Sequence, residues 1–158
     1  MKNKLKLLII LLVVIILLII GFLYFYNNSK QNVASNENNN SIIGCYVAGN
    51  VNDIFTLNIK LQEGQKVSGS LSMNFSQKDS STGVINGNFD NSYLFGDYAF
   101  FSEGVTSTMQ VAFKKSGDDF VKGYGPLNTD GTSFKDINLI NYDATSPLNV
   151  FKKVTCPK

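Results

Sequence analysis

The chain has 158 residues, with 14 lysines against 12 acidic residues, a net charge of +2, and neither histidine nor arginine. Without histidine there is no Ser-His-Asp or Cys-His nucleophile pair, no histidine zinc site and no histidine general base. Without arginine there is no bidentate clamp for carboxylate or phosphate.

Lys2, Lys4 and Lys6 precede an uncharged apolar run from Leu7 to Phe25. A helix needs roughly 20 apolar residues to cross a bilayer. Tyr24 and Tyr26 suit the membrane–water interface, and the three lysines are expected to stay cytoplasmic by the positive-inside rule. The expected organisation is a cytoplasmic basic segment over 1–6 and a single-pass transmembrane signal anchor over 7–26. The rest of the chain would then lie outside the cytoplasm at the cell membrane. Two alternatives compete. A cleaved signal peptide, which would release a secreted protein, has a shorter apolar core of roughly 7–15 residues and a small-residue cleavage site. Here large side chains from Phe22 to Tyr26 follow, and the nearest small pair, Ala34-Ser35, lies well beyond. A lipoprotein signal would use Ile42-Ile43-Gly44-Cys45, but that pattern normally closes the apolar core directly, and here the polar stretch 27–41 intervenes.

Residues 27–41 carry asparagine at 27, 28, 32, 36, 38, 39 and 40. Such a composition buries too little apolar surface to offset ordering entropy, so a flexible linker is expected. As a coil its root-mean-square reach is on the order of 20 Å. Residues 42–158 form one domain in which ten lysines nearly balance eleven acids. No basic face is implied, and a nucleic-acid partner is disfavoured.

The domain reads as β throughout. Phe55, Leu57, Ile59 and Leu61 alternate with polar residues, as do Val67, Gly69, Leu71, Met73 and Phe75, and then Val105, Met109, Val111 and Phe113. This period of two marks half-buried strands. Turn signals at Glu63-Gly64-Gln65, Lys78–Ser81, Asp90-Asn91-Ser92, Ser116–Asp119 and Asp130-Gly131 separate them. A motif of aliphatic-x-Gly-x-large occurs at Val67–Leu71, Ile85–Phe89 and Leu94–Tyr98, with a looser copy at Val121–Gly125. Glycine inside a strand marks a bulge, a bend or a close backbone approach. One glycine per consecutive strand suits a tightly coiled meander. The expected fold is an all-β, antiparallel up-and-down meander closed into a barrel of about eight strands, of lipocalin- or avidin-like architecture, since closure removes exposed edges.

Cys45 and Cys156 stand at the two ends of the domain. In a closed meander the first and last strands are neighbours, and outside the cytoplasm a disulfide persists. A Cys45–Cys156 bridge is the expected state, with free buried cysteines as the alternative; there is no C-x-x-C redox spacing.

No catalytic residue, cofactor or metal site is expected. Asn128-Thr129-Asp130-Gly131 resembles part of a calcium loop but lacks the downstream bidentate glutamate, so it reads as a hairpin turn. The segment from Tyr98 to Gly104, running on to Gln110, is read first as core aromatics. Its polar members offer a candidate binding cluster at a barrel mouth: Tyr98, Ser102, Glu103 and Gln110.

Several stretches together carry a resemblance: Gly44-Cys45-Tyr46, Ser102-Glu103-Gly104, Gln110–Lys115, Gly123-Tyr124-Gly125, Asp130–Asp136, Ser146-Pro147-Leu148 and Thr155-Cys156. With them the domain resembles a family of small bacterial envelope proteins, many of them lipoproteins, over nearly all of residues 44–156. The resemblance implies an exported β domain with the outer cysteine pair and implies no activity. The long apolar anchor in place of a recognisable lipobox departs from the lipoprotein members.

The functional expectation is a membrane-tethered extracytoplasmic module, partnered with the membrane through its N-terminal helix, that binds a small molecule or an envelope component. The alternative is a structural or interaction protein of the envelope with a solid core. An enzyme using carboxylates or a Ser/Lys pair stands third.

Overall fold

The computed structural model describes residue 6, residues 15–24 and residues 41–157. The chain divides between Ser41 and Ile42 into two units. Residues 15–24 of the first unit are helical. Among the described residues no helix is long and apolar enough to cross a membrane. Half of the expected anchor (7–14, 25 and 26) and nearly all of the expected linker (27–40) lie outside the described residues.

The second unit is a closed antiparallel barrel of eight strands in sequence order. They are β1 (Gly44–Gly49), β2 (Ile54–Glu63), β3 (Lys66–Asn74), β4 (Ser81–Asp90), β5 (Tyr93–Ser102), β6 (Val105–Ser116), β7 (Asp119–Gly123) and β8 (Val150–Val154). The expected meander and its closure are therefore both present. Tight turns join β2 to β3, β4 to β5 and β6 to β7 at one end of the barrel, called here the lower end. The upper end carries the 50–53, 75–80 and 103–104 connections and the long passage from 124 to 149.

The inward face is apolar. Tyr46, Leu57, Ile59, Leu71, Ile85, Leu94, Tyr98, Phe113, Phe120 and Phe151 are all at or near zero exposure and form one cluster. Each such side chain contributes roughly 1.5–3 kcal/mol on burial. The outward face carries Thr56, Asn58 and Lys60 on β2 and Ser68, Ser70 and Ser72 on β3. An apolar inside and a polar outside is the reverse of a membrane-spanning barrel.

The glycine motif has a direct structural reason in its first three copies. A Cβ on Gly69 would strike the Asn58 carbonyl, and one on Gly87 would strike the Phe95 carbonyl. Gly87 also sits opposite Gly96, and Gly69 opposite Ile85. The strands coil so tightly that a bare backbone is needed there, and flanking large residues such as Leu71, Phe89 and Tyr98 fill the interior beside the gaps.

The fourth copy has a different cause. Phe113 pairs with Lys122 and Ala112 with Gly123, so Phe120 and Lys122 face inward while Val121 and Gly123 face outward. The passage 124–149 folds back over this outer surface. A Cβ on Gly123 would lie 2.5 Å from Ile140 Cγ2 and 2.7 Å from Tyr142 Cε1. Gly123 is small to admit this strap, not to coil the barrel. The strap is fixed by paired backbone hydrogen bonds between Tyr124 and Asn141, and by Lys135 N–H donating to the Pro126 carbonyl. Tyr93 packs on Tyr142 beneath it, at 5.6 Å between ring centroids.

Two expected core residues face solvent. The β2–β3 register slips between Ile59 and Leu61, so a bulge at Lys60 turns Leu61 outward, 50% exposed, and brings Gln62 inward opposite Val67. One extra residue reverses the alternation beyond it. Val105, at the tip of the β5–β6 hairpin, is 61% exposed because the wall ends there.

Candidate functional site

The two ends of the barrel differ. At the lower end Ile42 is fully buried. Its N–H donates to Gln62 Oε1 at 2.9 Å and its carbonyl accepts from the Tyr46 hydroxyl at 2.8 Å. The bulge that expelled Leu61 thus supplies the polar group that fixes this plug. Beside it the Cys45–Cys156 disulfide, with Cα atoms 5.2 Å apart, joins β1 to the segment that follows β8.

The upper end carries Met73, Phe75, Phe100, Met109 and Leu148, which pack on the core yet keep part of their surface in solvent. Phe75 meets Phe55 edge-on at 4.9 Å, and Phe100 stacks on Tyr98 at 4.9 Å. The Tyr98 hydroxyl donates to Ser81 Oγ at 3.1 Å, both side chains being buried. Beside this apolar rim a concavity of about 370 Å³ lies between Asn52-Asp53 and Phe75–Lys78. Asp53 closes it by accepting from Ser76 N–H at 3.0 Å, and Lys78 Nζ rests 3.9 Å above the Phe75 ring.

The four residues expected to cluster do not share one surface. Tyr98 points into the core opposite Met109, whereas Gln110, opposite Asp97, points outward. Gln110 serves the strap: its N–H donates to the Thr132 carbonyl at 2.6 Å and its Oε1 accepts from Phe134 N–H at 3.0 Å. Ser102 and Glu103 remain together at the upper rim. Ser102 Oγ donates to the Ser80 carbonyl at 3.1 Å. Glu103 has a left-handed backbone, φ 51°, and its carboxyl shares a hydrogen bond with Asp79, which raises its pKa. Both of these acids are exposed, so the pair stands in open solvent and no cleft encloses it.

The 128–133 segment is a self-satisfied turn. Asp130 Oδ1 accepts from Thr132 N–H at 2.8 Å and from Thr132 Oγ1 at 2.6 Å. Asn128 Oδ1 accepts from Ser133 N–H at 3.3 Å, and Gly131 takes φ 72°. The Thr132 bonds hold the Asp130 pKa down.

Lys122 is the residue that sequence reasoning missed. It is 8% exposed, the one buried charged side chain among the described residues. Its Nζ lies 3.8 Å from the centroid of the Tyr124 ring. Among the described residues no carboxylate forms an ion pair with it; Lys152 pairs with Asp119 instead, at 2.8 Å on the surface. The Lys122 N–H donates to the Asn149 carbonyl at 2.8 Å, which seats it beside Leu148 and the upper rim. A signal for it was present: Phe120, Lys122 and Tyr124 share the parity of a buried phenylalanine.

Burial pushes the Lys122 ammonium down from 10.5 to about 8. Between these values the unfolded chain holds a proton that the folded chain has released, so stability rises with pH above about 8. Tyr46 and Tyr142 act oppositely. Burial pushes each hydroxyl from 10.0 up to about 12, aided at Tyr46 by Asp118 and Asp119 and at Tyr142 by Tyr93. Their contribution is complete below pH 10 and is lost as pH rises through about 12. We expect a stability maximum near pH 10. Lys122→Met removes the rise below it and adds up to ~3 kcal/mol at pH 7, since one pKa unit is worth about 1.4 kcal/mol. Urea midpoints at half-unit pH steps check this; a wild-type profile that is flat from pH 8 to 10 contradicts it.

No family model, curated protein or solved structure matches the chain.

Proposed function

We propose that this protein is a non-catalytic binding module of the cell envelope, tethered to the membrane through residues 7–26, that uses the upper end of its barrel. The observation that carries this reading is the contrast between the ends. The lower end is plugged by Ile42 and stapled by the disulfide. The upper end leaves Met73, Phe75, Phe100, Met109 and Leu148 partly open to solvent. Large side chains occupy the barrel axis, so a ligand is received at the rim and not enclosed at the centre. The bridge suits an oxidising compartment, which agrees with an extracytoplasmic location. The resemblance to small envelope proteins points the same way.

A second reading is an interaction protein that docks through its outer surface. It is favoured by the strap, whose Leu127, Ile137 and Leu139 are exposed. The methionines separate the two readings. Beyond Met1 the chain has only Met73 and Met109, and both stand at the upper rim. With methyl-labelled methionine and the full chain in lipid nanodiscs, small apolar probes such as hexan-1-ol are expected to shift both methyl resonances in a saturable way. Both methyls unmoved at saturating probe would transfer the function to the second reading.

A further inference from the structure

Binding an apolar probe at the rim would leave the buried ammonium unused. An unpaired charge taken out of water is costly, and folded chains normally pair it or let it neutralise. Here its partner is an aromatic face, and Tyr124 is itself 46% exposed. The ring that covers the ammonium thus itself borders solvent. Its neighbours lead to the rim. Phe113 pairs with Lys122, and from Phe113 the inward face of β6 climbs through Val111 to Met109. On the other side Asn149 holds the Lys122 backbone and Leu148 adjoins it. A single positive charge thus stands at the edge of a partly open apolar surface.

We propose that Lys122 is the head-group site for an anionic amphiphile, a carboxylate carried on an apolar chain, with the chain lying against Met109, Leu148 and the neighbouring rim side chains. The proposal rests on the reading that the upper end is the binding end. One ammonium matches the single charge of a carboxylate, and no arginine is present to form the planar fork that a phosphate dianion favours. The three N–H donors of the ammonium can turn from the Tyr124 face to the incoming oxygens, so occupancy supplies the counter-charge that the empty fold lacks. Above about pH 8 binding also favours the charged form of Lys122.

The test uses the full chain in lipid nanodiscs, with labelled methionine methyls and labelled lysine side chains, titrated with hexanoate and separately with hexan-1-ol. In the wild type both probes are expected to shift the Met73 and Met109 methyls. Hexanoate is expected to bind about tenfold more tightly, the size of one charge-assisted hydrogen bond, and to move the Lys122 titration to higher pH. In Lys122→Met the tenfold preference disappears while hexan-1-ol binds as before. A preference that persists in Lys122→Met, or no preference in the wild type, overturns the head-group assignment and leaves rim binding standing. No methyl shift with either probe overturns both. Should Lys122→Met not fold, the wild-type lysine titration decides: hexanoate must raise it, and an unmoved titration rejects the site.

Discussion

Replacing Cys45 and Cys156 together by alanine is expected to cost about 2–5 kcal/mol, the range for native bridges in small domains. The cysteines are 111 residues apart, and in the chain-entropy account a loop of this length contributes up to ~4.7 kcal/mol by restricting the unfolded chain. The position of the bridge adds a local effect. β5 and β6 share ten residue pairs. The seam that closes the barrel is far thinner, with three pairs between β1 and β8 and two between β7 and β8. The disulfide spans this seam next to the Cys45–Val154 pair. Without it β8 is expected to fray first, and amide exchange at Lys152 and Val154 should accelerate by orders of magnitude while β3, β4 and β5 exchange only through global opening. Urea denaturation with and without reductant, together with hydrogen exchange, measures both parts. A loss below about 1 kcal/mol, with unchanged exchange in β8, would show that strand pairing alone holds the seam.

The barrel was legible because most of its strands alternate and a glycine motif recurs on β3, β4 and β5. Val67–Leu71, Ile85–Phe89 and Leu94–Tyr98 each place two large inward residues around a glycine that must accept a neighbouring backbone. Where the period is broken the reading failed for a local reason. At Lys60-Leu61 the bulge inserts one residue, and composition alone does not distinguish Leu61 outward from Leu61 inward. The passage 124–149 contains the same turn residues as a hairpin, so it looked like more of the meander. Its role as a strap was written elsewhere: Tyr93, Phe95 and Val121 are large apolar residues at outward positions, and an outer face that is apolar needs a cover.

The upper end was harder to read for the same reason. Alternation assigns a lysine between Val121 and Gly123 to solvent, yet Val121 and Gly123 are the outward pair and Lys122 is inside. The candidate cluster joined residues by nearness in sequence, whereas a one-residue step on neighbouring strands separates Tyr98 from Gln110 by the thickness of the wall. Only Ser102 and Glu103, adjacent at one hairpin tip, stayed together.

Phe120→Ala is expected to destabilise the barrel by about 3–5 kcal/mol, the range for truncating a fully buried aromatic. Phe120 stands at the centre of the aromatic cluster, with ring centroids 5.0 Å from Tyr46, 6.2 Å from Phe89 and 6.3 Å from Phe113, all in edge-on contact. Strands β1, β4 and β6 meet through this one side chain from β7, a strand only five residues long. Relaxation into the space left is limited, because the tight coiling at Gly87 and Gly69 already brings neighbouring backbones into contact. The variant also tests where ligands go. A dry apolar cavity of side-chain size takes up benzene or xenon, so Phe120→Ala should acquire an enclosed site that the filled wild-type axis lacks. Benzene is then expected to raise the thermal midpoint of Phe120→Ala and leave that of the wild type nearly unchanged. Since Phe120 and the rim methionines lie toward opposite ends, the Met73 and Met109 methyl responses to hexan-1-ol should survive the substitution. Benzene stabilising the wild type equally would mean that the barrel axis already holds a site, and the binding surface would then have to be sought inside the wall instead of at its upper rim.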